Sequence, residues 1–255
     1  MSRAQSWSSL LLFLCLTASF VYAQELLPPD TIDVAPQYWH HTLGTAMTIS
    51  QVSFSDWAQG GENAFAYATS ANGSSTYDWH PITWINSYRL AFGQTRIGGR
   101  ETRNTDDKID LETVASYRLG FSINPYAALT LKTQFATGYR YDKAGNRTAI
   151  TRFFDPAFLT QSLGFGYQID PRLHTRLGFA LREIVTSRYT AFADDPKTPT
   201  VERTKIEDGL ESVTEGTWKI DGSTSFNAKL ELFSSFREPE KIILRGDNTL
   251  TVRLG

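Results

Sequence analysis

The sequence is almost without cysteine: it has one, Cys15, in 255 residues. That residue lies in the apolar stretch near the N-terminus, so the remainder of the chain has none. A disulfide needs two cysteines, and a thiolate zinc site needs several. Beyond residue 23 the sequence therefore excludes disulfides, free-thiol chemistry and thiolate metal sites.

Long apolar runs and surplus charge are missing too. Beyond residue 23 no apolar run approaches the ~18 residues that a transmembrane helix needs. The formal net charge is −2, which provides no electrostatic reason to expect nucleic acid as a partner. Yet 41% of the residues are hydrophobic and 13% are aromatic, and they alternate with polar residues. This dilution is typical of the wall of a membrane β-barrel.

The N-terminus has the parts of a secretory signal. Arg3 supplies a positive charge, residues 10–21 form an apolar core, and Ala23 is the small residue that precedes cleavage. The next residues contain three prolines and show no periodicity. We predict three segments: a cleaved signal peptide at residues 1–23, a periplasmic tail at 24–37 and an outer-membrane β-barrel domain at 38–255.

The clearest periodicity lies in residues 108–141, where apolar and polar side chains alternate. A period of two indicates β-strands. Each arm of this predicted hairpin is longer than the roughly 9–11 tilted residues that cross a bilayer. We predict a tight turn at Ile123-Asn124-Pro125. The apolar face includes Ile109, Leu111, Ala115, Tyr117, Leu119 and Phe121 in the first arm, and Ala127, Leu129, Leu131, Phe135, Tyr139 and Tyr141 in the second.

The same alternation predicts an all-β fold, an antiparallel up-and-down transmembrane β-barrel. Ten strands are visible, at 41–52, 64–79, 82–94, the two arms of 108–141, 157–169, 173–187, 205–220, 223–236 and 242–254. A turn at Asn72-Gly73 is an alternative, but it would leave arms too short to span. Short connections follow strands two, four, six and eight. Longer ones follow strands one, three, five and seven, among them the polar loops 96–107 and 143–156, and a short one follows strand nine. Because outer-membrane barrels have short periplasmic turns and long outer loops, this places the first strand's start in the periplasm.

Five tryptophans follow the predicted signal peptide, and all lie near predicted strand ends. Aromatic residues are enriched where a membrane protein meets the lipid headgroups. We therefore predict interfacial girdles that contain Trp39, Trp57, Trp79, Trp84 and Trp218.

The predicted inward faces carry charge. The candidates are Arg89, Lys108, Asp110, Glu112, Arg118, Lys132, Arg176, Arg182, Lys229 and Glu231. Two interpretations stay open: a polar pathway of mixed selectivity, or cross-strand ion pairs that fill a narrow lumen. We favour the second, because barrels of this size have little open interior.

Catalytic and metal-binding candidates are few. The histidines at 40, 41, 80 and 174 have no serine in a recognisable nucleophile context. The carboxylate pairs at 106–107 and 194–195 could bind a divalent cation, but solvated loop charge is the simpler interpretation. The glycines at 60 and 61 permit a tight loop. We predict no enzyme activity, no catalytic or metal residue and no cofactor.

Several stretches resemble the outer-membrane β-barrel proteins catalogued as domain-of-unknown-function family 3078. They are SQVSFSDWAQGGEN (50–63), TDDKIDL (105–111), LKTQFATGY (131–139), DPAFLTQSLGFGY (155–167) and the arm around LELFSSF (230–236). The resemblance implies an envelope protein of a diderm bacterium with roughly ten to twelve strands, and no known reaction or ligand. Proteins that resemble this one continue past the tenth strand. Two alternatives follow: the barrel closes with ten strands, or the chain is a fragment of a twelve-stranded barrel, and we favour the fragment.

The expected function is that of an integral outer-membrane β-barrel, with passage of a small solute or lipid-like molecule as the leading activity. The alternatives are a structural or surface-interaction protein that acts through its outer loops and a membrane-embedded hydrolase. Expected partners are outer-membrane lipid and the barrel-assembly machinery.

Overall fold

A computed structural model describes residues 38–54 and 61–253. The predicted signal peptide and tail, Trp57, Gly60 and the last two residues lie outside the described residues. Twelve strands form: β1 Trp39–Val52, β2 Ala64–Trp79, β3 Ile82–Ile97, β4 Arg103–Tyr117, β5 Ile123–Thr133, β6 Gly138–Tyr141, β7 Arg147–Thr151, β8 Ala157–Asp170, β9 Leu173–Val185, β10 Thr204–Lys219, β11 Thr224–Ser235 and β12 Ile242–Val252. A short 3-10 helix, Thr190–Phe192, precedes β10. In the described part of the chain, no helix is long and apolar enough to cross a membrane.

Ten strands form one antiparallel sheet in the order β1-β2-β3-β4-β5-β8-β9-β10-β11-β12, and β6 and β7 form a separate hairpin. The predicted all-β, ten-stranded antiparallel architecture is confirmed. The sheet is not closed into a barrel, contrary to the prediction. Within the described ranges β1 pairs only with β2, and β12 pairs only with β11. Alternation decides which face a side chain occupies, but it carries no information about whether the two edge strands meet.

The turn between β4 and β5 lies earlier than predicted. β4 ends at Tyr117 and β5 begins at Ile123, so the predicted turn residues 123–125 belong to β5. Gly120 has φ +86°, a left-handed conformation that glycine adopts without steric cost. Asn124 Oδ1 accepts a hydrogen bond of 2.9 Å from the Leu119 backbone N–H and closes the turn. The glycine therefore decides the position of the turn.

The alternative turn at Asn72-Gly73 does not form. Both residues lie inside β2 and pair with β1 and β3. A Cβ atom at residue 73 would come within 2.4 Å of the Tyr88 ring and 2.5 Å of the Thr42 carbonyl oxygen. Because it has no side chain, this glycine lets β2 lie close to the Thr42 carbonyl of β1 and the Tyr88 ring of β3.

The connections at the end opposite the short turns contain more β-structure than predicted. β3 runs on to Ile97 and β4 begins at Arg103, so the predicted loop shrinks to residues 98–102. The fifth strand stops at Thr133, and the β6–β7 hairpin occupies part of the predicted loop 143–156. Arg103 lies 4.0 Å from the centre of the Tyr141 ring, and Arg147 lies 4.8 Å from that of Tyr139. These cation–π contacts stiffen the hairpin.

The two faces of the sheet differ in chemistry. Large apolar side chains on one face are exposed along most strands, and in the middle of the sheet Leu163 is 64% and Leu177 57% exposed. The opposite face holds buried charges, among them Asp110, Glu112 and Lys229. Because side chains of β4 contact those of β11, β12 and β9 across this face, the sheet curls around its polar side. We call that side the interior.

A buried carboxylate joins two of the connections at the end opposite the short turns. Asp155, just before β8, is 1% exposed. Its carboxylate accepts hydrogen bonds from the backbone N–H groups of Ser187, Arg188 and Tyr189, at 3.0, 2.7 and 3.4 Å. Burial opposes ionisation, but these donors and the Arg152 guanidinium together lower the pKa of Asp155. The carboxylate therefore holds the segment after β9 against the start of β8.

We expect Asp155→Asn to weaken this junction by about 1.5–3 kcal/mol, because an amide lacks the charge and one acceptor oxygen. Hydrogen exchange at residues 187–189 measures the opening. Because the folded pKa is lowered, the stabilisation is present above the ordinary carboxylate pKa of about 4 and is lost as the pH falls below it.

The matched control is Asp195→Asn, in the connection between β9 and β10. Asp195 is exposed and accepts one backbone bond, from Lys197 at 3.0 Å. The Asp195→Asn substitution should leave hydrogen exchange at residues 187–189 unchanged. Equal effects from the two substitutions would contradict the role given to Asp155.

Candidate functional site

Ten charged side chains in the interior are linked by ion pairs, and we call them the interior ion network. They are Arg89, Lys108, Asp110, Glu112, Lys132, Arg176, Glu215, Lys229, Glu231 and Asp247. Five are cations and five are carboxylates, so the network is balanced without an external ion.

The centre of the network is Glu112 on β4. Its two carboxylate oxygens contact Arg176 of β9 and Lys229 of β11. The Lys229 Nζ atom lies 2.5 Å from Glu112 and 2.9 Å from Glu215. Glu112, Arg176 and Lys229 are all less than 9% exposed. Charges so far from solvent are tolerated only when they are paired.

Asp110 forms the second node. Its Oδ2 atom lies 3.8 Å from Arg89, 3.7 Å from Lys108 and 3.7 Å from Lys132. In the part of the chain that the structure describes, this oxygen has no hydrogen-bond partner. Three cations therefore compensate its charge at a distance. Lys132 also contacts Glu231, which connects this node to β11.

Two cavities of several hundred Å³ border the network. The larger has a volume of about 800 Å³ and extends toward the short turns, where Arg172, His174 and Thr217 line it. The smaller has a volume of about 410 Å³ and lies nearer the opposite end, against Phe158 and Arg245. Lys108 and Asp247 line both cavities. Their charged atoms are 3.6 Å apart, so this ion pair stands between the two spaces.

Eight of the ten predicted inward charges lie in the network. Arg182 lies apart from it and pairs with Glu207 at 3.2 Å. Arg118 follows β4 in the turn and pairs with Asp78 at 2.5 Å. The Arg182–Glu207 and Arg118–Asp78 pairs are therefore not part of the interior ion network.

Sequence reasoning missed Glu215 and Asp247. Glu215 belongs to the predicted strand with the weakest alternation, and Asp247 to the last predicted strand. Both lie directly opposite Lys229 in the sheet register. A register drawn for β10, β11 and β12 would have found them, because residues directly opposite share a face.

The four described tryptophans all lie at the short-turn end of the sheet. Trp39 is 5.8 Å from Trp84, and Trp79 is 5.6 Å from Tyr38, between ring centres. Trp218 stacks on Phe226 where β10 leads into β11. The opposite end carries phenylalanines on the outer face, with Phe92 6.4 Å from Phe135. Aromatic side chains thus occur at both ends, with tryptophan at one of them in the described ranges.

In the described residues, no group of three or more side chains that could hold a metal ion occurs. His41 Nδ1 lies 2.8 Å from Ser75 Oγ, but no carboxylate in the described residues is paired with this histidine to orient it as a general base. In the predicted carboxylate pairs, Asp107 accepts backbone bonds from Phe135 and Ala136, Asp194 accepts one from Glu202 and Asp195 accepts one from Lys197.

Residues 49–139 match the model of a family described as protein of unknown function (DUF3078). The predicted resemblance to family 3078 is confirmed over these residues. No curated protein matches the chain, and no solved structure matches it.

The DUF3078 match runs from the end of β1 to the start of the β6–β7 hairpin. It contains half of the interior ion network. The other half comes from β9 to β12, beyond the match. The family description names no function.

Proposed function

We propose that this protein is an integral outer-membrane β-barrel whose interior is a narrow, charge-lined route for small hydrophilic solutes. The observation that carries the proposal is the contrast between the faces: exposed apolar side chains outside and a balanced ion network with two cavities inside.

The outer face supports a lipid environment. Leu43, Met47, Leu163, Leu177 and Leu244 are each at least 57% exposed, and they belong to four different strands. Soluble monomers rarely expose contiguous apolar patches larger than a few hundred Å². Lipid removes this cost, because it solvates the apolar face while the polar face stays inside.

We also propose that β1 and β12 pair in the membrane and close the barrel. Glu112 of β4 meets Lys229 of β11 across the interior. β4 is fourth and β11 ninth in the sheet order, and in a ring of ten strands the ninth strand faces the fourth. Unpaired edge groups are costly in lipid, where no water can bond them.

The orientation follows from the connections. The short turns, which include residues 80–81 and 171–172, would face the periplasm, and the β6–β7 hairpin would face outward. An exported chain of this kind would depend on the barrel-assembly machinery to enter the membrane.

The test uses the expected mature chain, residues 24–255, refolded in detergent and added to a planar bilayer. We expect stable insertion and small, discrete, reproducible conductance steps. A protein that stays in the aqueous phase, or that gives only irregular leakage, would contradict the closed membrane barrel.

Insertion without conductance would favour the second candidate, a surface-interaction protein. The stiffened β6–β7 hairpin is the observation behind that candidate. Removal of residues 138–151 would then abolish partner binding and leave membrane insertion unchanged.

A further inference from the structure

The Lys108–Asp247 pair is the most accessible link across the interior. The side chain of Lys108 is 39% and that of Asp247 49% exposed, and their charged atoms lie 3.6 Å apart. In contrast, the side chains of Glu112 and Lys229 are only 7% and 5% exposed. Exposed ion pairs contribute little to stability and are screened by salt. Of these ion pairs, Lys108–Asp247 can therefore break with the smallest loss of stability.

The position of the pair matters as much as its weakness. Lys108 and Asp247 come from β4 and β12 and line both cavities. These two side chains therefore lie where the two cavities adjoin. The deeper pairs around Glu112 hold β4, β9 and β11 together, and of their residues Lys229 also lines the larger cavity.

We propose that Lys108 and Asp247 form the constriction of one polar path through the interior and set its charge selectivity. This inference rests on the proposed function. The two cavities are the two halves of the path, and solutes pass when the ion pair parts. With one cation and one carboxylate at the narrowest point, the path favours neither sign.

The lining of the larger cavity indicates the solute class. Besides charged groups, it presents hydroxyl and amide side chains, from Ser70, Asn72, Ser87, Thr217, Asn227, Asn248 and Thr249. Such groups replace the hydration shell of polar molecules and offer little to apolar ones. The volume of about 800 Å³ suits molecules of metabolite size. The expected solutes are small and hydrophilic, of either charge.

Two substitutions of the same ion pair provide the test. Lys108→Gln leaves the carboxylate of Asp247 uncompensated, so the path should prefer cations. Asp247→Asn leaves Lys108 with Asp110 alone, a carboxylate that it shares with Arg89 and Lys132, so cationic charge is in excess and the path should prefer anions. We expect the cation-to-anion permeability ratio to change about fivefold in opposite directions, the equivalent of about 1 kcal/mol for a unit charge at close range in water.

The measurement is the reversal potential across a planar bilayer with a potassium chloride gradient. The wild-type value should lie near zero. Asp208→Asn is the control, because Asp208 forms an exposed ion pair with Arg237 at 3.6 Å away from both cavities. It should leave the reversal potential unchanged.

A third variant, Lys108→Ala with Asp247→Ala, tests the constriction itself. It should conduct more than the wild type, and it should conduct even if the wild type inserts without conductance. A double variant no more conductive than the wild type, or shifts of the same sign in the two single variants, would overturn the inference. A chain that fails to insert would overturn the proposed function, so the two failures are distinguishable.

Discussion

Glu112→Gln is expected to lower the free energy of unfolding by about 3–5 kcal/mol, the cost of breaking a buried ion pair. Glu112 provides the carboxylate that pairs with Arg176, and in the described residues no other carboxylate lies within 4.0 Å of that guanidinium. Arg176 is 8% exposed, so its stranded charge cannot be solvated where it stands. Urea titration of the refolded chain, followed by tryptophan fluorescence, measures the loss.

Asp208→Asn is the control for this prediction as well. Its ion pair with Arg237 is exposed on both sides, so its removal should cost about 0–1 kcal/mol. The double variant Glu112→Gln with Arg176→Met removes one charge of each sign and should recover part of the loss. A coupling energy of about 0.5–3 kcal/mol between the two positions would show that they act together. Additive effects would mean that the stranded arginine is not the cause.

Leu163→Arg is expected to block or slow membrane assembly. Leu163 lies in the middle of β8, on the outer face, and is 64% exposed. An arginine at the midplane of the lipid face costs about 2–4 kcal/mol. The measurement is the fraction of chain that becomes inserted and protease-resistant in lipid vesicles.

Leu119→Arg makes the same chemical change at a different depth. Leu119 lies in the turn between β4 and β5 and is 46% exposed. Near the interface the cost falls to about 0–1 kcal/mol, so this variant should assemble normally. Equal assembly of the two variants would mean that the apolar face does not meet lipid.

The family and most of the strands were predictable because the signal is local. Alternation from Ile109 to Phe121 needs only neighbouring residues to be recognised, and each of the ten predicted strands has its counterpart in the sheet. The error in the position of the turn between β4 and β5 was local as well. The turn moved to residues 118–122 because Gly120 accepts a positive φ, a preference that a proline at 125 had obscured.

The partners of the predicted charges depend on register and curvature. Glu112 and Lys229 are 117 residues apart, and no periodicity links them. Asp247 could be found only once β11 and β12 were aligned, since its place opposite Lys229 follows from that pairing.

By itself, the sequence determined the composition of the two faces, the absence of thiol chemistry beyond residue 23 and the number of strands in the sheet. These follow from residue type and a period of two, which the backbone imposes on any strand. The tertiary structure alone decided which charges meet, where the two cavities lie and which ion pair separates them. Those features depend on how the curl of the sheet brings β4 opposite β11 and β12, and curvature arises from the packing of all ten strands together.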